Sequence, residues 1–197
     1  MFHNIPEPIL KRMRKLEAQD AIDRKDGTPR SQRLRQIPPV TGKFLALLCA
    51  SAPRGGVLEV GTSGGYSSLW LSLACKERGD HLTTFEILEE KVNRAYETFE
   101  AAGVSGQIQL IHGDARDVIS GYADVAFCFL DAERDIYIDV YEKVINNVVP
   151  GGILAVDNVI SHADELADFV SHAENDPRVD ALVVPIGKGI LVCRKIF

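Results

Sequence analysis

The chain has 197 residues, 46% of them hydrophobic and 25% charged, which is the composition of one globular domain. Its net charge of −6 argues against bulk attraction to nucleic acid. No apolar run approaches the ~20 residues that cross a bilayer, so no membrane partner is expected. The first residues do not resemble a signal peptide. The four cysteines are dispersed and include no CxxC pair. Together with the absence of a signal-peptide pattern, this predicts reduced thiols in a cytoplasmic protein.

The first forty residues differ from the rest of the chain. Residues 1–40 carry nine Lys and Arg against five Asp and Glu, a balance of +4, so residues 41–197 carry −10. We interpret 1–40 as a basic, helical N-terminal arm and 41–197 as the main domain. Within the arm, Ile9, Met13 and Leu16 share one face of a helix predicted over 7–24, which covers the sheet or joins two copies of the chain. A loop follows, and Thr41 is predicted to cap the next helix.

Beyond Gly55, short apolar runs alternate with segments of helical periodicity, which indicates a parallel sheet covered on both faces. Strands are predicted over 57–60, 81–87, 108–112, 125–130, 153–156, 181–185 and 190–194. Helices are predicted over 66–78, 89–102, 115–120, 136–148 and 163–174. The short turn Gly187-Lys188-Gly189 permits only an antiparallel hairpin between the last two strands. The pattern therefore predicts an α/β fold whose seven-stranded sheet is mostly parallel, with one reversed strand at its end.

A glycine-rich turn follows the first of these strands, in VLEVGTSGGYSS at 57–68. Gly61, Gly64 and Gly65 let the backbone approach a ligand closely. Their spacing is not the GxGxxG of dinucleotide sites, and no Walker lysine follows. Glu59 would repel a pyrophosphate, which favours a cationic ligand such as S-adenosylmethionine. The alternative is a turn that serves only strand–helix packing.

Acidic residues follow the next two strands at the same edge of the sheet. Glu86 ends the second strand, where a carboxylate can accept both hydroxyls of a ribose. Asp114, in HGDAR after the third strand, could border an adenine. Either acid alone would be read as a solvated loop residue, but together with the glycine turn they indicate a nucleoside site.

Polar residues also end two apolar strands farther along the chain. VAFCFLD ends at Asp131, and GILAVDN ends at Asp157 and Asn158. Neighbouring parallel strands would bring these oxygens to one crevice, and such ligands suit Mg²⁺ or another hard cation. The set contains no Cys or His, which argues against a zinc site. The alternative is that each residue caps the helix that follows it.

Taken together, these segments resemble the cation-dependent O-methyltransferases, the family of catechol and caffeoyl-CoA O-methyltransferases, and in particular its small bacterial members. The resemblance rests on VLEVGTSGGYSS, TTFEI, HGDAR, FLDAERDIY and GGILAVDNVI, in the family's order, from about Ile37 to the C-terminus. It implies a class I S-adenosylmethionine-dependent methyltransferase fold, which is Rossmann-like, and a homodimer.

The resemblance also implies site residues. Cofactor contacts fall on Ile37, Glu59, Gly61, Ser63, Gly65, Ser67, Glu86, Asp114, Ala115 and Asp131. Ligands of a divalent cation, most simply Mg²⁺, fall on Asp131, Asp157 and Asn158. In the family the cation chelates two adjacent oxygens of a catechol-like acceptor, and one oxygen attacks the sulfonium methyl. The expected partner is therefore a small molecule with a vicinal diol, and the expected catalytic residues are Asp131, Arg134 and Asp157.

One departure from the family concerns the proton acceptor. Arg134 occupies the place of the family's lysine, the usual candidate for the general base, and a guanidinium cannot take up a proton. Arg134 could instead stabilise an ionised acceptor, or form an ion pair with Glu133 or Asp135. His162 is a candidate substitute base, although a histidine there could equally be a helix-start residue.

A second departure concerns the acceptor site. Because the final hairpin turn is so short, we expect its wall to come from the arm, through Arg30, Arg33 and Arg35, or from a second subunit. If these arginines line it, the acceptor should be an anion such as a carboxylated catechol. Two other readings stay open: a methyltransferase acting on RNA or protein, and a cofactor-binding protein without turnover. The glycine spacing disfavours a nicotinamide dehydrogenase.

Overall fold

The structure is a computed structural model that describes residues 1–29 and 32–197. In this part of the chain, the sheet strands are β1 (Gly56–Val60), β2 (Leu82–Glu86), β3 (Ile108–His112), β4 (Val125–Leu130), β5 (Val148–Val156), β6 (Val179–Val184) and β7 (Ile190–Lys195). Their order in the sheet is β3-β2-β1-β4-β5-β7-β6. Strand β7 alone runs in the direction opposite to the other strands, since it pairs antiparallel with both β5 and β6. The predicted fold class is confirmed, although the reversed strand lies between β5 and β6 and not at the sheet edge.

The described helices are α1 (Glu7–Asp23), α2 (Pro39–Ser51), α3 (Tyr66–Arg78), α4 (Glu89–Ala102), α5 (Ala115–Val118), α6 (Tyr137–Val144) and α7 (Ala163–Glu174). Helices α3 and α4 each end at a glycine with positive φ, Gly79 and Gly103, which is a favoured helix stop. The helix predicted over 136–148 is shorter, because its last turn is a 3₁₀ segment (Ile145–Asn147). The helix predicted over 115–120 also divides, into α5 and a 3₁₀ segment (Ile119–Gly121).

Two predicted element starts differ from the structure by three residues or more. Strand β5 begins at Val148 and not at Ile153, because the Pro150-Gly151-Gly152 run lies at an irregularity in the pairing with β4 and does not end the strand. Helix α2 begins at Pro39, so Thr41 lies inside its first turn and does not cap it. Proline suits the first helical position because the missing N–H has no partner there.

The sheet is packed on both faces. Val57 and Phe127 belong to one apolar cluster, with α2, α3 and α4, whereas Leu58 and Cys128 belong to the other, with α6 and α7. This alternation follows the two-residue period of a strand. Helix α1 packs on the first cluster through Ile9, Met13 and Leu16, the three residues predicted to share one face of the arm helix. No described helix has the length and apolar character needed to cross a membrane.

The strand order of the sheet reverses at the boundary between β1 and β4. Strands β2 and β3 extend the sheet on one side of β1, and β4 and β5 extend it on the other. The carboxyl ends of β1 and β4 therefore border a crevice, which is where open α/β sheets bind ligands.

Candidate functional site

A cavity of about 420 Å³ opens at this crevice. Its volume lies in the range of small-molecule sites, about 300–1,000 Å³. Its walls are the glycine turn after β1, the ends of β2 and β4, and the arm segment Leu34–Ile37. Several residues proposed from the sequence line it: Ile37, Gly61, Ser63, Ser67, Glu86, Asp114, Ala115, Asp131 and Asn158. Others do not: Glu59, Gly65, Asp157 and Arg134.

The glycine turn is held by close packing as well as by its own backbone. Gly61 has φ +100°, and a Cβ there would collide with the carbonyl oxygen of Asp131. The Gly61 and Thr62 amides both donate to Phe85 O, at 3.0 and 3.2 Å. Gly65, with φ +84°, precedes α3, and a Cβ there would collide with the Phe99 ring. The turn therefore serves packing in part, while Gly61 and Ser63 still face the cavity.

Glu59 is a buried structural acid in the structure. Its side chain is 0% exposed, and its Oε2 accepts from the hydroxyls of Ser68 and Thr84. Its Oε1 has no hydrogen-bond partner among the described residues. Burial raises the pKa of Glu59 to about 7, against the opposing hydrogen bonds from nearby hydroxyls. Glu59 is thus placed to hold β1, β2 and α3 together beneath the cavity.

Glu86 combines a structural role with an accessible carboxylate. Its Oε2 accepts from the Ser63 amide at 2.8 Å, which ties the glycine turn to the end of β2. Its Oε1 accepts from the Ile87 and Leu88 amides, both at 3.0 Å. A carboxylate offers about four lone-pair sites, so these three bonds leave acceptor capacity toward the cavity.

Asp114 lies at the next strand end and caps α5. Its Oδ1 accepts from the Arg116 amide at 2.9 Å, and its Oδ2 accepts from the Arg116 guanidinium at 2.6 Å. These bonds hold the pKa of Asp114 below its usual value. Asp114 is therefore a helix cap and not the solvated loop residue of the alternative reading, and its place in the cavity wall beside Ala115 is compatible with a second role.

The arm closes the cavity from the side of the glycine turn. Ser63 Oγ donates to Leu34 O at 2.7 Å, and Ile37 is 2% exposed against the cavity wall. Arg33 and Arg35 both line the cavity. Arg33 donates to Thr28 O at 2.6 Å, and Arg35 forms an ion pair with Glu133 at 2.5 Å. The third arginine of the prediction, Arg30, lies outside the described residues.

The residues after β4 and β5 converge as predicted. The Asn158 side-chain amide donates to Asp131 Oδ1 at 2.7 Å, and Asn158 has φ +74°. Asp157 is 0% exposed, and neither of its carboxylate oxygens has a hydrogen-bond partner among the described residues. Burial raises the pKa of both Asp131 and Asp157, because water is excluded from their charges.

A divalent cation fits this set of residues. A buried carboxylate without a partner is costly, and a hard cation with oxygen ligands would remove that cost. Asp131, Asp157 and Asn158 offer two carboxylates and an amide, with no softer ligand among them. Helix capping does not explain Asp157, since α7 begins at Ala163 after His162.

Arg134 and His162 have different positions. Arg134 Nε donates to Glu165 Oε2 at 2.7 Å, so its partner is on α7 and is neither Glu133 nor Asp135. His162 lines the cavity and precedes α7, where its Nδ1 lies 2.9 Å from Ser161 Oγ. His162 therefore lines the cavity from a helix start, and its role as a base stays a prediction.

The short hairpin turn also contributes to the cavity wall, in addition to the arm from which the acceptor wall was expected. Lys188, at the centre of this turn, lines the cavity together with Asp131 and Asn158. Lys91, near the start of α4, lines it as well. A single lysine in a turn carries no sequence pattern, so only the packing of the turn against the segment after β5 reveals it. The glycines on either side of Lys188 were the available signal for such close packing.

A second group of polar side chains lies far from this cavity, in α6, α7 and the turn before β6. Glu142, His172 and Asp176 have potential ligand atoms within 4.8 Å of one another. Arg178 donates to Glu142 at 2.8 Å and to Asp176 at 2.7 Å. The guanidinium lowers the pKa of Asp176 and already supplies a positive charge to the group.

Comparisons with known proteins agree with this geometry. A family model described as O-methyltransferase matches residues 9–196. Caffeoyl-CoA O-methyltransferase of Medicago sativa is 28% identical over 180 residues, covering 79% of this chain and 72% of that protein. An O-methyltransferase from Bacillus cereus, solved in complex with SAH, superposes with a TM-score of 0.79 at 23% identity, over 94% of this chain and 90% of that one. TomG from Streptomyces achromogenes, solved in complex with SAM, has a TM-score of 0.78 at 24% identity, over 98% and 92% of the two chains.

Proposed function

Because the chain belongs to the O-methyltransferase family, whose model it matches over residues 9–196, we propose that it methylates a small vicinal diol in a metal-dependent reaction. The methyl donor is S-adenosylmethionine, and the divalent cation is held by Asp131, Asp157 and Asn158. The observation that carries the proposal is the fully buried Asp157 carboxylate. Neither of its oxygens has a hydrogen-bond partner among the described residues, and the next residue, Asn158, lines the cavity.

The nucleoside half of the cavity suits the methyl donor. Glu86 keeps acceptor capacity for ribose hydroxyls while its bonds to three backbone amides fix its position. Asp114 and Ala115 border the adjoining wall, where an adenine would lie. SAH in the B. cereus enzyme and SAM in TomG support this choice, since both proteins share the fold. When bound, S-adenosylmethionine supplies an electrophilic methyl group on a sulfonium.

The cation half of the cavity suits a diol. Asp131 and Asn158 line the cavity, and Asp157, directly before Asn158 in the chain, is fully buried behind it. When bound, a divalent cation supplies Lewis acidity that lowers the pKa of an acceptor hydroxyl. By holding the cation, the three residues would fix the orientation of the acceptor hydroxyl toward the methyl donor, and such positioning lowers the barrier to the reaction. The name of the Medicago relative supports a catechol-like acceptor, since caffeoyl-CoA carries adjacent ring hydroxyls.

The state of the protein in the cell is part of the proposal. Its cysteines, Cys49, Cys75, Cys128 and Cys193, are all buried free thiols, which suits the reducing cytoplasm. The homodimer that the family resemblance implies is also part of the proposal. Light scattering on the purified protein tests the dimer, and a monomer mass at micromolar concentration would contradict it.

The function is tested by S-adenosylhomocysteine production from S-adenosylmethionine and a panel of acceptors. The panel contains caffeic acid, catechol and a monophenol, each with Mg²⁺ or with EDTA. We expect turnover of the vicinal diols only, its loss in EDTA, and its loss in Asp157→Ala but not in Asp168→Ala, which removes an exposed acid of α7. Methylation of the monophenol at a similar rate, or full activity in EDTA, would contradict the proposal.

A further inference from the structure

The cationic side chains around the cavity differ in whether they are already neutralised. Three arginines are paired with acids: Arg24 with Asp20 at 2.6 Å, Arg35 with Glu133 at 2.5 Å, and Arg116 with Asp114 at 2.6 Å. Lys91 and Lys188 also line the cavity, but neither ammonium forms an ion pair or a hydrogen bond with any described residue. Arg33 also lines the cavity, and its Nε donates to Thr28 O at 2.6 Å. The two lysines are therefore the cavity cations whose side chains have neither an ion pair nor a hydrogen bond to a described residue.

The backbone of Lys188 is fixed against the cation-ligand segment. Lys188 O accepts from the Ile160 and Ser161 amides at 3.0 and 2.9 Å, and Gly189 O accepts from the Val159 amide at 3.2 Å. A Cβ at Gly189 would collide with Ile160, so the turn is packed as closely as it can be. The hairpin turn therefore holds Lys188 in a constant position relative to Asn158.

The opposite side of the turn is wedged as well. A Cβ at Gly187, which has φ +59°, would collide with the Thr41 hydroxyl of α2. The turn thus fits between α2 and the segment after β5, and its backbone cannot swing away from the cavity without breaking both contacts.

Lys188 lines the cavity together with Asp131 and Asn158, and its backbone is joined to the segment that directly follows Asn158. Lys91 lies on α4 at the same cavity, where burial lowers its pKa and the charge of Glu86, the proposed ribose acceptor, opposes this most strongly. Arg134 is directed at Glu165 and does not line the cavity.

We infer that Lys188 is a catalytic residue that stabilises the ionised hydroxyl of the acceptor from the part of the cavity wall that is joined to the segment after β5. The inference rests on the proposed function and adds a residue to it. The acceptor proton leaves to water, and the oxygen then forms the new C–O bond while the S–C bond breaks with its electron pair left on sulfur. Lys188 keeps its proton throughout and contributes only its charge.

The magnitude follows from simple electrostatics. Opposite charges close together near a protein surface attract each other more strongly than they do in bulk water. Lys188 is partly exposed, so solvent screening reduces this attraction without removing it. We expect it to shift the ionisation of a bound acceptor by about one pH unit, a tenfold change in the ionisation constant.

4-Nitrocatechol tests this without any turnover, because its absorption spectrum changes when a hydroxyl ionises. The probe is bound to the protein with Mg²⁺ and S-adenosylhomocysteine, and its ionisation is followed against pH. We expect Lys188→Met to raise the midpoint for the bound probe by about one unit, and Lys188→Arg to restore most of the wild-type value. Lys76→Met, which removes an equal charge at the exposed end of α3 away from the cavity, should leave the midpoint unchanged.

The outcomes separate the inference from the function on which it rests. An unchanged midpoint in Lys188→Met, with the probe still bound, overturns the role of Lys188 and leaves the proposed function standing. No spectral change on adding wild-type protein to the probe overturns the diol acceptor and the role of Lys188 together. Lys188→Gln takes the place of Lys188→Met if that variant does not fold, as judged by its melting curve.

Discussion

The side-chain amide of Asn158 donates to Asp131 Oδ1 across 2.7 Å and so joins the residues that follow β4 and β5. Their backbones are fixed as well, since the Asp131 amide donates to Val60 O at 2.9 Å and the Asp157 amide donates to Leu130 O at 3.0 Å. The sheet thereby positions all three proposed cation ligands before any ligand arrives. Such preorganisation is what fixes a reacting oxygen against a methyl donor.

Replacing Asp157 separates stability from cation binding. In EDTA, we expect Asp157→Asn to melt at or above the wild-type temperature, because a buried charge without a partner is removed. Mg²⁺ at about 100 times its dissociation constant should stabilise the wild type by about 2.7 kcal/mol and leave the variant unchanged. Differential scanning fluorimetry with and without Mg²⁺ makes the comparison.

Asp168→Asn is the matched control, since it neutralises an exposed carboxylate on α7. It should gain as much from Mg²⁺ as the wild type does. An equal Mg²⁺ gain in Asp157→Asn would show that the cation binds elsewhere.

Glu59 should make the protein less stable as the pH rises. Its pKa in the folded state is about 7, above the value of the unfolded chain, so the native state favours the protonated form. Its contribution is complete below the unfolded pKa of about 4.3, falls as the pH rises to about 7 and is constant above that. Glu59→Gln mimics the protonated form and should be more stable than the wild type at pH 8, by at most about 4 kcal/mol.

Urea denaturation at pH 5 and pH 8 measures this difference. The gain of Glu59→Gln over the wild type should be larger at pH 8 than at pH 5. A gain that is equal at the two pH values would mean that Glu59 is ionised in the folded protein throughout this range.

Alanine substitutions at two glycines with positive φ distinguish the cost of backbone strain from the cost of a steric collision. Gly61 and Gly79 have φ +100° and +75°, but only at Gly61 would a Cβ meet another atom, the Asp131 carbonyl oxygen. Gly79→Ala should therefore cost about 1 kcal/mol of stability from backbone strain alone. Gly61→Ala should cost more, and it should weaken cofactor binding by displacing Asp131. Equal losses in the two variants, with cofactor affinity unchanged, would contradict this account of the turn.

Glu86 should matter for cofactor affinity. Glu86→Gln removes the charge. It also places a side-chain NH₂ group, which cannot accept a hydrogen bond, against a backbone N–H that donates to the carboxylate in the wild type. Hydrogen bonds to charged groups contribute about 1.5–3 kcal/mol, so we expect affinity for S-adenosylhomocysteine to fall by about tenfold or more. Calorimetry measures it, with Glu89→Gln at the exposed start of α4 as control. Affinity within twofold of the wild type would remove Glu86 from the site.

Much of the fold could be predicted from periodicity. Strands 108–112 and 125–130 and helices 66–78, 89–102 and 163–174 have the predicted bounds, because each is a clear apolar pattern with a distinct end such as Gly79 or Gly103. The convergence of Asp131, Asp157 and Asn158 was also predictable, since parallel strands end at one edge of the sheet. The start of β5 was not, because Pro150 and two glycines imitate a turn inside a paired strand.

The site residues that sequence reasoning missed depend on tertiary packing. Lys188 reaches the cavity only because its turn is wedged between α2 and the segment after β5. Glu59 was read as a ligand-facing charge, but the structure buries it beneath hydroxyls contributed by α3 and β2. An acid inside an apolar strand was the signal for that burial, since such a residue faces the interior of the sheet.

The most direct test of the account is a crystal structure of the protein with Mn²⁺ and S-adenosylhomocysteine, with the manganese located by its anomalous scattering. We predict a peak in contact with oxygen atoms of Asp131, Asp157 and Asn158, and the ribose of the nucleoside at Glu86. A peak at Glu142 and His172, or a well-ordered nucleoside beside acids that hold no metal at saturating Mn²⁺, would contradict the metal-dependent mechanism.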